Sequence, residues 1–80
     1  MDTTSDVALV EQAKKGDQKA FNKLVMKWYE RIYNFTFKFL GEHDLAMEVS
    51  QKTFIAVNQH LIKLKQPDLF KSWVYQIATN

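Results

Sequence analysis

Lysines and amide side chains gather around the only proline of the chain, and together they could bind a nucleic-acid strand. The group consists of Lys63, Lys65, Gln66, Lys71, Gln76 and Asn80. Ammonium groups pair with phosphates, amides can hydrogen-bond to the edges of exposed bases, and a ring can stack on a base for about 1–3 kcal/mol. Because Trp73 and Tyr75 lie in the same stretch, its composition indicates an interface for an unpaired strand.

The same stretch also fits a purely structural role. Phe70, Trp73 and Ile77 recur at the three- and four-residue steps of a buried helix face. This spacing favours a packing role for Phe70 and Trp73 and leaves the role of the lysines open between strand binding and simple solvation. A further basic run, over residues 14–38, could also bind nucleic acid, but its cations have the spread of an ordinary solvated helix face, which is the favoured interpretation.

No group of side chains has the spacing of a catalytic or metal-binding site. His43 and His60 match no known ligand spacing and are expected to be solvated. Asp44 and Glu48 share a helix face, but a helix cap and a first-turn acid explain them more simply. The absence of cysteine excludes thiolate chemistry, and two glycines are too few for a glycine-rich phosphate loop. We therefore expect no catalytic residue, no metal, no cofactor and no enzymatic activity.

Length and composition predict one small all-α domain. The 80 residues suffice for a single domain near the lower size limit for folding without staples, so we expect marginal stability. Apolar residues make up 46% of the chain, and no alternating strand pattern competes with the helical ones. The first residues lack the features of a signal peptide, and no apolar run approaches the roughly 20 residues of a membrane span. These features predict a soluble, cytoplasmic protein. Its net charge is +2.

Caps and periodicity predict two helices in the first half of the chain. Ser5 or Thr4 can cap a first helix, which Gly16 can end, and Asp17 can cap a second helix over residues 18–40. Apolar residues recur along the second helix at three- and four-residue steps: Phe21, Leu24, Val25, Trp28, Ile32, Phe35 and Phe39. A helix that is apolar over so much of its surface must be covered on more than one side, so we expect it to be the central element of the fold.

The second half of the chain predicts a helix, a short basic elbow and a last helix. Asp44 can cap the third helix, which extends to about residue 61. Its inner face would carry Ala46, Val49, Thr53, Phe54, Val57 and Leu61, and its outer surface Glu48, Gln51, Lys52, Ile55 and Gln59. Pro67 disfavours continued helix, so residues 62–68 are expected to form the elbow. Asp68 can cap the fourth helix, over residues 69–80, which completes a four-helix bundle.

Three sequence motifs follow one another along the chain. They are LVEQAKKGDQKAFNKLVMKWYERIYNF at residues 9–35, DLAMEVSQKTF at residues 44–54 and FKSWVYQIATN at residues 70–80. In this order they resemble region 2 of bacterial extracytoplasmic-function (ECF) sigma factors of the sigma-70 family. The resemblance covers nearly the whole chain, and it is the ordered set of motifs, more than any one of them, that is specific.

The resemblance implies a four-helix domain that docks on the clamp helices of the RNA polymerase β′ subunit. It also implies recognition of the promoter −10 element as melted, non-template single strand, with a base flipped into a pocket beside the elbow. Carried over by position, the polymerase contacts would be Glu48, Gln51, Lys52 and Ile55, and the DNA contacts Lys63, Lys65, Gln66, Lys71, Gln76 and Asn80. An anti-sigma factor is a further partner that the resemblance allows.

Four positions depart from the family pattern. Met47 and Lys52 stand where acids are common, Glu48 stands where aspartate is usual, and Gln76 replaces a common arginine. The lost acids bear on the polymerase contacts, and the lost arginine removes a phosphate contact from the last helix.

Family members continue through a linker into a helix-turn-helix domain that reads the −35 element. We therefore expect residues 1–80 to be one region 2 domain taken from a longer protein. The alternative hypothesis is a sigma-like helical domain that binds or regulates proteins and does not read DNA. Replacing Lys63, Lys65 and Lys71 distinguishes the two, since only the first hypothesis requires these lysines.

Overall fold

A computed structural model describes residues 5–80 as four α-helices and two short 3₁₀ turns. The helices are α1 (Asp6–Lys14), α2 (Gln18–Leu40), α3 (His43–His60) and α4 (Phe70–Thr79), and the 3₁₀ turns cover Leu61–Lys63 and Pro67–Leu69. No strand occurs in this part of the chain, which confirms the all-α, four-helix prediction. Between residues 5 and 80, no helix is both long enough and apolar enough to cross a membrane.

The start of α1 follows the predicted local chemistry. The Ser5 hydroxyl accepts a hydrogen bond from the Ala8 N–H at 3.2 Å, which satisfies one of the free donors of the first turn. Thr4, the other predicted cap, lies outside the described residues. Gly16 has a φ of 97°, a conformation that glycine adopts without strain, and it reverses the chain between α1 and α2.

Both ends of α2 also confirm the sequence prediction. The Asp17 carboxylate accepts hydrogen bonds from the Lys19 and Ala20 N–H groups at 3.0 and 3.2 Å. At the other end, Gly41 takes the left-handed conformation with a φ of 66°, and its N–H donates to the Phe37 carbonyl at 2.8 Å. These two residues fix the length of the longest helix.

The prediction that Asp44 caps α3 is wrong. The cap position falls two residues earlier, on Glu42, the helix begins at His43, and no side chain caps its free N–H groups. Asp44 lies instead within the first turn, where its charge suits the helix dipole. The Tyr33 hydroxyl lies 2.5 Å from Nδ1 of His43, so a contact with α2 holds the first residue of α3 in place.

The prediction that Asp68 caps α4 is also wrong. Pro67 occupies the first position of the second 3₁₀ turn, and Asp68 lies inside that turn. Leu69 is therefore the boundary residue of α4, and it makes no side-chain capping bond. The physical reason is the fixed φ of proline, which begins a tight helical turn three residues before the α-helix itself.

The core forms where α2 packs against the other three helices, as expected for a central element. Its buried apolar residues are Leu9, Val10, Ala20, Leu24, Trp28, Ile32, Phe54, Val57, Leu61, Leu64, Phe70 and Val74. Trp28, only 3% exposed, lies at the centre and meets the rings of Phe70 and Tyr75 edge to face, each at a centroid distance of 6.4 Å. The aromatic contacts thus join α2 to α4.

The last two turns of α2 depart from the expectation that the apolar surface of this helix is covered on more than one side. Phe37, Phe39 and Leu40 are exposed, with Phe39 at 72%, and the buried residue in this part of the helix is Thr36. The Thr36 hydroxyl lies 3.5 Å from both the Ala46 carbonyl and the Ser50 hydroxyl of α3. Small polar residues therefore form the buried contact between α2 and α3 here, while Phe37 and Phe39 remain exposed.

Candidate nucleic-acid and protein interfaces

The elbow, residues 62–68, is shaped by two leucines that alternate with polar residues. Leu61 and Leu64 are buried in the core, while Lys63, Lys65 and Gln66 are exposed. The Leu64 N–H closes the first 3₁₀ turn by donating to the Leu61 carbonyl at 3.0 Å. Because the two leucines anchor the backbone, the neighbouring cationic and amide side chains are directed into solvent.

The elbow lysines are available to an anionic partner. Lys63 and Lys65 are exposed, and neither takes part in the two ion pairs seen among residues 5–80. By contrast, Lys27 on α2 pairs with Asp6 at 2.9 Å, and the Arg31 guanidinium lies 4.9 Å from the Trp28 ring centroid. Part of the α2 charge is therefore committed to contacts within the protein, whereas the elbow charge is not.

The structure places the remaining predicted DNA contacts on different sides of α4. Lys71 lies in the first turn of this helix, directly after the elbow. Gln76 follows five residues later, which corresponds to about 140° around the helix axis. Asn80 comes after the last helical residue and four positions beyond Gln76, on the same side as Gln76. The structure thus brings Lys71 close to the elbow in sequence and fold, and it sets Gln76 and Asn80 apart from Lys71.

The rings that could have stacked on bases are half-buried and pack against the core. Trp73 is half-buried against Phe70, with a centroid distance of 6.1 Å. Tyr75 meets the Phe35 ring at 4.9 Å in addition to Trp28. The packing role favoured for Phe70 and Trp73 is the one observed. An apolar residue that sequence reasoning missed, Ile62, is instead 72% exposed at the start of the elbow.

A second surface lies on α3 and consists of the four predicted polymerase contacts. Glu48, Gln51, Lys52 and Ile55, which we call the outer stripe, are all exposed. Their spacing of three, four and seven residues places them on one face of the helix. Lys52 pairs with Glu48 at 3.2 Å, an exposed ion pair one helical turn long. Ile55 is 57% exposed, so the outer stripe presents an apolar side chain next to a neutralised pair.

A groove of about 480 Å³ runs between α2 and α3 beside the outer stripe. It is lined by Phe21, Asn22, Val25, Tyr29, Gln51, Phe54, Ile55 and Asn58. Tyr29 and Phe54 stack within it at a centroid distance of 5.8 Å. Sequence reasoning treated Val25 as part of the core stripe and did not consider Asn22. Val25 and Tyr29 follow Asn22 by three and seven residues, which places all three on one side of α2. This spacing was the signal that could have found the groove.

The titratable residues set aside in the sequence form no metal site. No group of three or more histidine, aspartate or glutamate side chains that could hold a metal ion occurs within residues 5–80. His60 is exposed, as predicted. His43 is exposed as well, and its ring also contacts Tyr33, so it serves the junction between α2 and α3.

Comparison with known proteins gives a consistent result. Residues 24–80 match the model of the family described as sigma-70 region 2. The chain is 34% identical over 76 residues to a protein of Escherichia coli K12 named ECF RNA polymerase sigma-E factor. It is 33% identical over 75 residues to the RNA polymerase sigma-H factor of Pseudomonas aeruginosa. These alignments cover 95% and 94% of this chain, and the chain spans about 39% of the length of each of these curated relatives.

A solved structure is similar over the full length of the chain. It is the NMR structure of the complex formed by an engineered region 2 of sigmaE with GTAAAA. The TM-score is 0.88 and the sequence identity 32%, and the alignment covers 100% of this chain and 83% of the other. The two chains are therefore similar in sequence as well as in fold.

Proposed function

This chain belongs to the sigma-70 region 2 family, and we propose that it acts in transcription initiation by recognising the promoter −10 element as single strand. In this proposal the elbow lysines Lys63 and Lys65, together with Gln66, Lys71, Gln76 and Asn80, lie along the melted non-template strand. The role is one of binding and not of catalysis. It places the protein in the cytoplasm, where polymerase and promoter meet, and an anti-sigma factor would be a natural regulator.

One observation carries the proposal: a structure similar over the whole chain was solved in complex with GTAAAA. The geometry of this chain supports it, because the elbow presents exposed, unpaired lysines on a backbone anchored by Leu61 and Leu64. Exposed cations that follow the backbone of a strand are the electrostatic part of a single-strand binding surface. Trp73 and Tyr75, by contrast, contribute by packing α4 and not by stacking on bases.

We further propose that the outer stripe docks on the clamp helices of the RNA polymerase β′ subunit. The groove beside it supports this role, since a partner helix needs an elongated depression with an apolar floor. Ile55 would be the apolar anchor, with Gln51 supplying hydrogen bonds and the Glu48–Lys52 pair at the rim. The outer stripe lies on α3, and the elbow follows the end of that helix. The two surfaces are separate, so both partners can bind at the same time.

Salt dependence tests the strand-binding role. Three phosphate contacts on single strand predict a slope of about −2 for log K against log salt, so affinity should fall about 18-fold between 50 and 200 mM salt. The measurement is fluorescence anisotropy with a labelled single-stranded GTAAAA oligodeoxynucleotide. Replacing Lys63, Lys65 and Lys71 with alanine should flatten the slope to near zero and weaken binding at low salt.

The matched control removes the same charge elsewhere. Lys19, Lys23 and Lys38 are exposed on α2, and neither ion pair among the described residues involves them. Their triple alanine variant should keep the slope of about −2, because no phosphate contact is lost. A native chain whose binding does not respond to salt would exclude the elbow lysines as phosphate contacts. The alternative role, a helical domain that binds proteins without reading DNA, would then stand.

A further inference from the structure

A hydrogen bond from α1 fastens the backbone of the elbow. The Lys14 ammonium donates to the Leu64 carbonyl at 2.5 Å, a part-buried contact between residues 50 positions apart in the sequence. Leu64 lies between the two 3₁₀ turns, directly flanked by Lys63 and Lys65. The orientation of the Leu64 carbonyl therefore determines how the peptide leading to Lys65 is turned. Charge-assisted hydrogen bonds of this kind are the stronger ones in proteins.

A gap lies near this hydrogen bond, between the end of α1 and the first 3₁₀ turn. A cavity of about 190 Å³ lies between the turn that joins α1 to α2 and the start of the elbow. Lys14 lines this cavity, as do Ala13 on the α1 side and Leu61 and Ile62 on the elbow side. Beside this cavity, the Lys14 hydrogen bond joins α1 to the elbow backbone and adds to the hold that buried Leu61 and Leu64 provide.

The helix that carries Lys14 is itself well anchored. Leu9 and Val10 are fully buried in the core, and Asp6 forms the ion pair with Lys27 of α2. Because α1 is held on two sides, the Lys14 side chain starts from a fixed position. Notably, α1 lies before residue 24, outside the part of the chain that matches the sigma-70 region 2 model.

We propose that Lys14 is a positioning residue for nucleic-acid binding. Its hydrogen bond holds the elbow backbone in the conformation that presents Lys63 and Lys65 to the strand. This inference rests on the proposed strand-binding function and adds α1 to the site. A loop that is already ordered loses less conformational entropy when it binds, so the hydrogen bond increases affinity without touching the strand. A direct phosphate contact by Lys14 would act differently, because it would add to the salt dependence of binding.

Three variants of the 80-residue chain separate these roles. Lys14→Met removes both the charge and the donor, Lys14→Arg keeps both, and Lys15→Met removes the same charge from the neighbouring, exposed residue. With the GTAAAA oligodeoxynucleotide at 50 mM salt, Lys14→Met should bind about 5- to 10-fold more weakly, the effect of one lost hydrogen bond. Lys14→Arg and Lys15→Met should stay within about 2-fold of the native chain, and the salt slope of Lys14→Met should not change.

Amide hydrogen exchange in the free protein measures directly how well the elbow backbone is ordered. The Leu64 N–H and the Leu69 N–H, which donates to the Gln66 carbonyl at 2.9 Å, report the two 3₁₀ turns. Both should exchange several-fold faster in Lys14→Met and at native rates in Lys15→Met, while amides in the middle of α2 keep their protection. This local effect distinguishes positioning from a general loss of stability.

The outcomes are distinct. Native binding and native elbow exchange in Lys14→Met would overturn the inference and leave the proposed function intact. Equal losses in Lys14→Met and Lys15→Met, or a shallower salt slope in Lys14→Met, would show a simple charge effect and also overturn it. A native chain that does not bind the oligodeoxynucleotide would overturn the proposed function, and the inference with it.

Discussion

Replacing Ile55 with glutamate is expected to weaken binding to a β′ clamp-helix fragment about 30- to 100-fold, which corresponds to roughly 2–3 kcal/mol. Ile55 is 57% exposed and borders the groove between α2 and α3, so a docked helix would bury it. Glutamate removes the apolar contact and leaves a carboxylate without a partner in the interface. The measurement is isothermal titration calorimetry of the purified fragment with native and variant protein.

The control for this experiment makes the same change at a different exposed apolar residue. Phe39 is 72% exposed near the end of α2 and lies outside the groove beside the outer stripe. Phe39→Glu should bind the fragment with nearly native affinity, and both variants should remain folded, since surface substitutions usually change stability by less than about 0.5 kcal/mol. Equal affinity of native protein and Ile55→Glu would show that clamp helices do not dock on the outer stripe.

Replacing Phe70 with alanine is expected to lower the free energy of unfolding by about 3–5 kcal/mol. Phe70 is 1% exposed, is the first residue of α4, and meets the rings of Trp28 and Trp73. Its removal leaves a cavity between α2 and α4 at the point where the chain leaves the elbow. A domain of this size has a total stability of roughly 4–12 kcal/mol, so the variant should be largely or partly unfolded at 37 °C.

Phe39→Ala is the matched control, because it removes the same side chain from a site that is mostly exposed. Its cost should not exceed about 1 kcal/mol, since little apolar area leaves contact with the protein. Urea unfolding followed by circular dichroism measures both values. Comparable losses in the two variants would contradict the described burial, in which α4 completes the core and the end of α2 does not contribute.

Local sequence signals predicted most of the helical framework correctly, because the interactions behind them are short-range. Asp17 caps α2 through its own neighbours, and Gly41 ends it in the conformation that glycine favours. Pro67 likewise ends the helical pattern, and the break between α3 and α4 falls where the elbow was predicted. The fold class and the domain type could therefore be read from the chain itself.

The errors arose where a distant residue or a proline overrides the local signal. Asp44 is a suitable cap by type, but the cap position falls two residues earlier, on Glu42, and the first helical residue, His43, contacts Tyr33 of α2. Asp68 is suitable too, but Pro67 begins a 3₁₀ turn that includes it. The spacing of apolar residues predicts neither the contact of His43 with Tyr33 nor the second 3₁₀ turn.

Periodicity alone also could not tell which of several apolar faces is buried. α2 is apolar over much of its surface, and the last turns expose Phe37 and Phe39 while Thr36 faces α3. The groove beside the outer stripe needs residues from two helices that only the fold brings together, such as Tyr29 and Phe54. In the same way, the hydrogen bond between Lys14 and Leu64 depends on packing across 50 residues.

The two proposed surfaces make different demands on the same small domain. The outer stripe lies on a regular helix, whose shape needs no further support. The elbow has only two short 3₁₀ turns and depends on anchors from outside, namely the buried leucines and Lys14. We therefore expect strand affinity to be more sensitive than polymerase affinity to substitutions in α1.

The experiment to perform first is an NMR titration of the isotopically labelled 80-residue chain with the single-stranded GTAAAA oligodeoxynucleotide. We predict saturable amide shifts that centre on residues 61–71, with the amides of the outer stripe nearly unchanged. That result would place single-strand recognition on the elbow and leave α3 free for polymerase. Shifts centred on the outer stripe, or none at millimolar oligodeoxynucleotide, would contradict the proposed function.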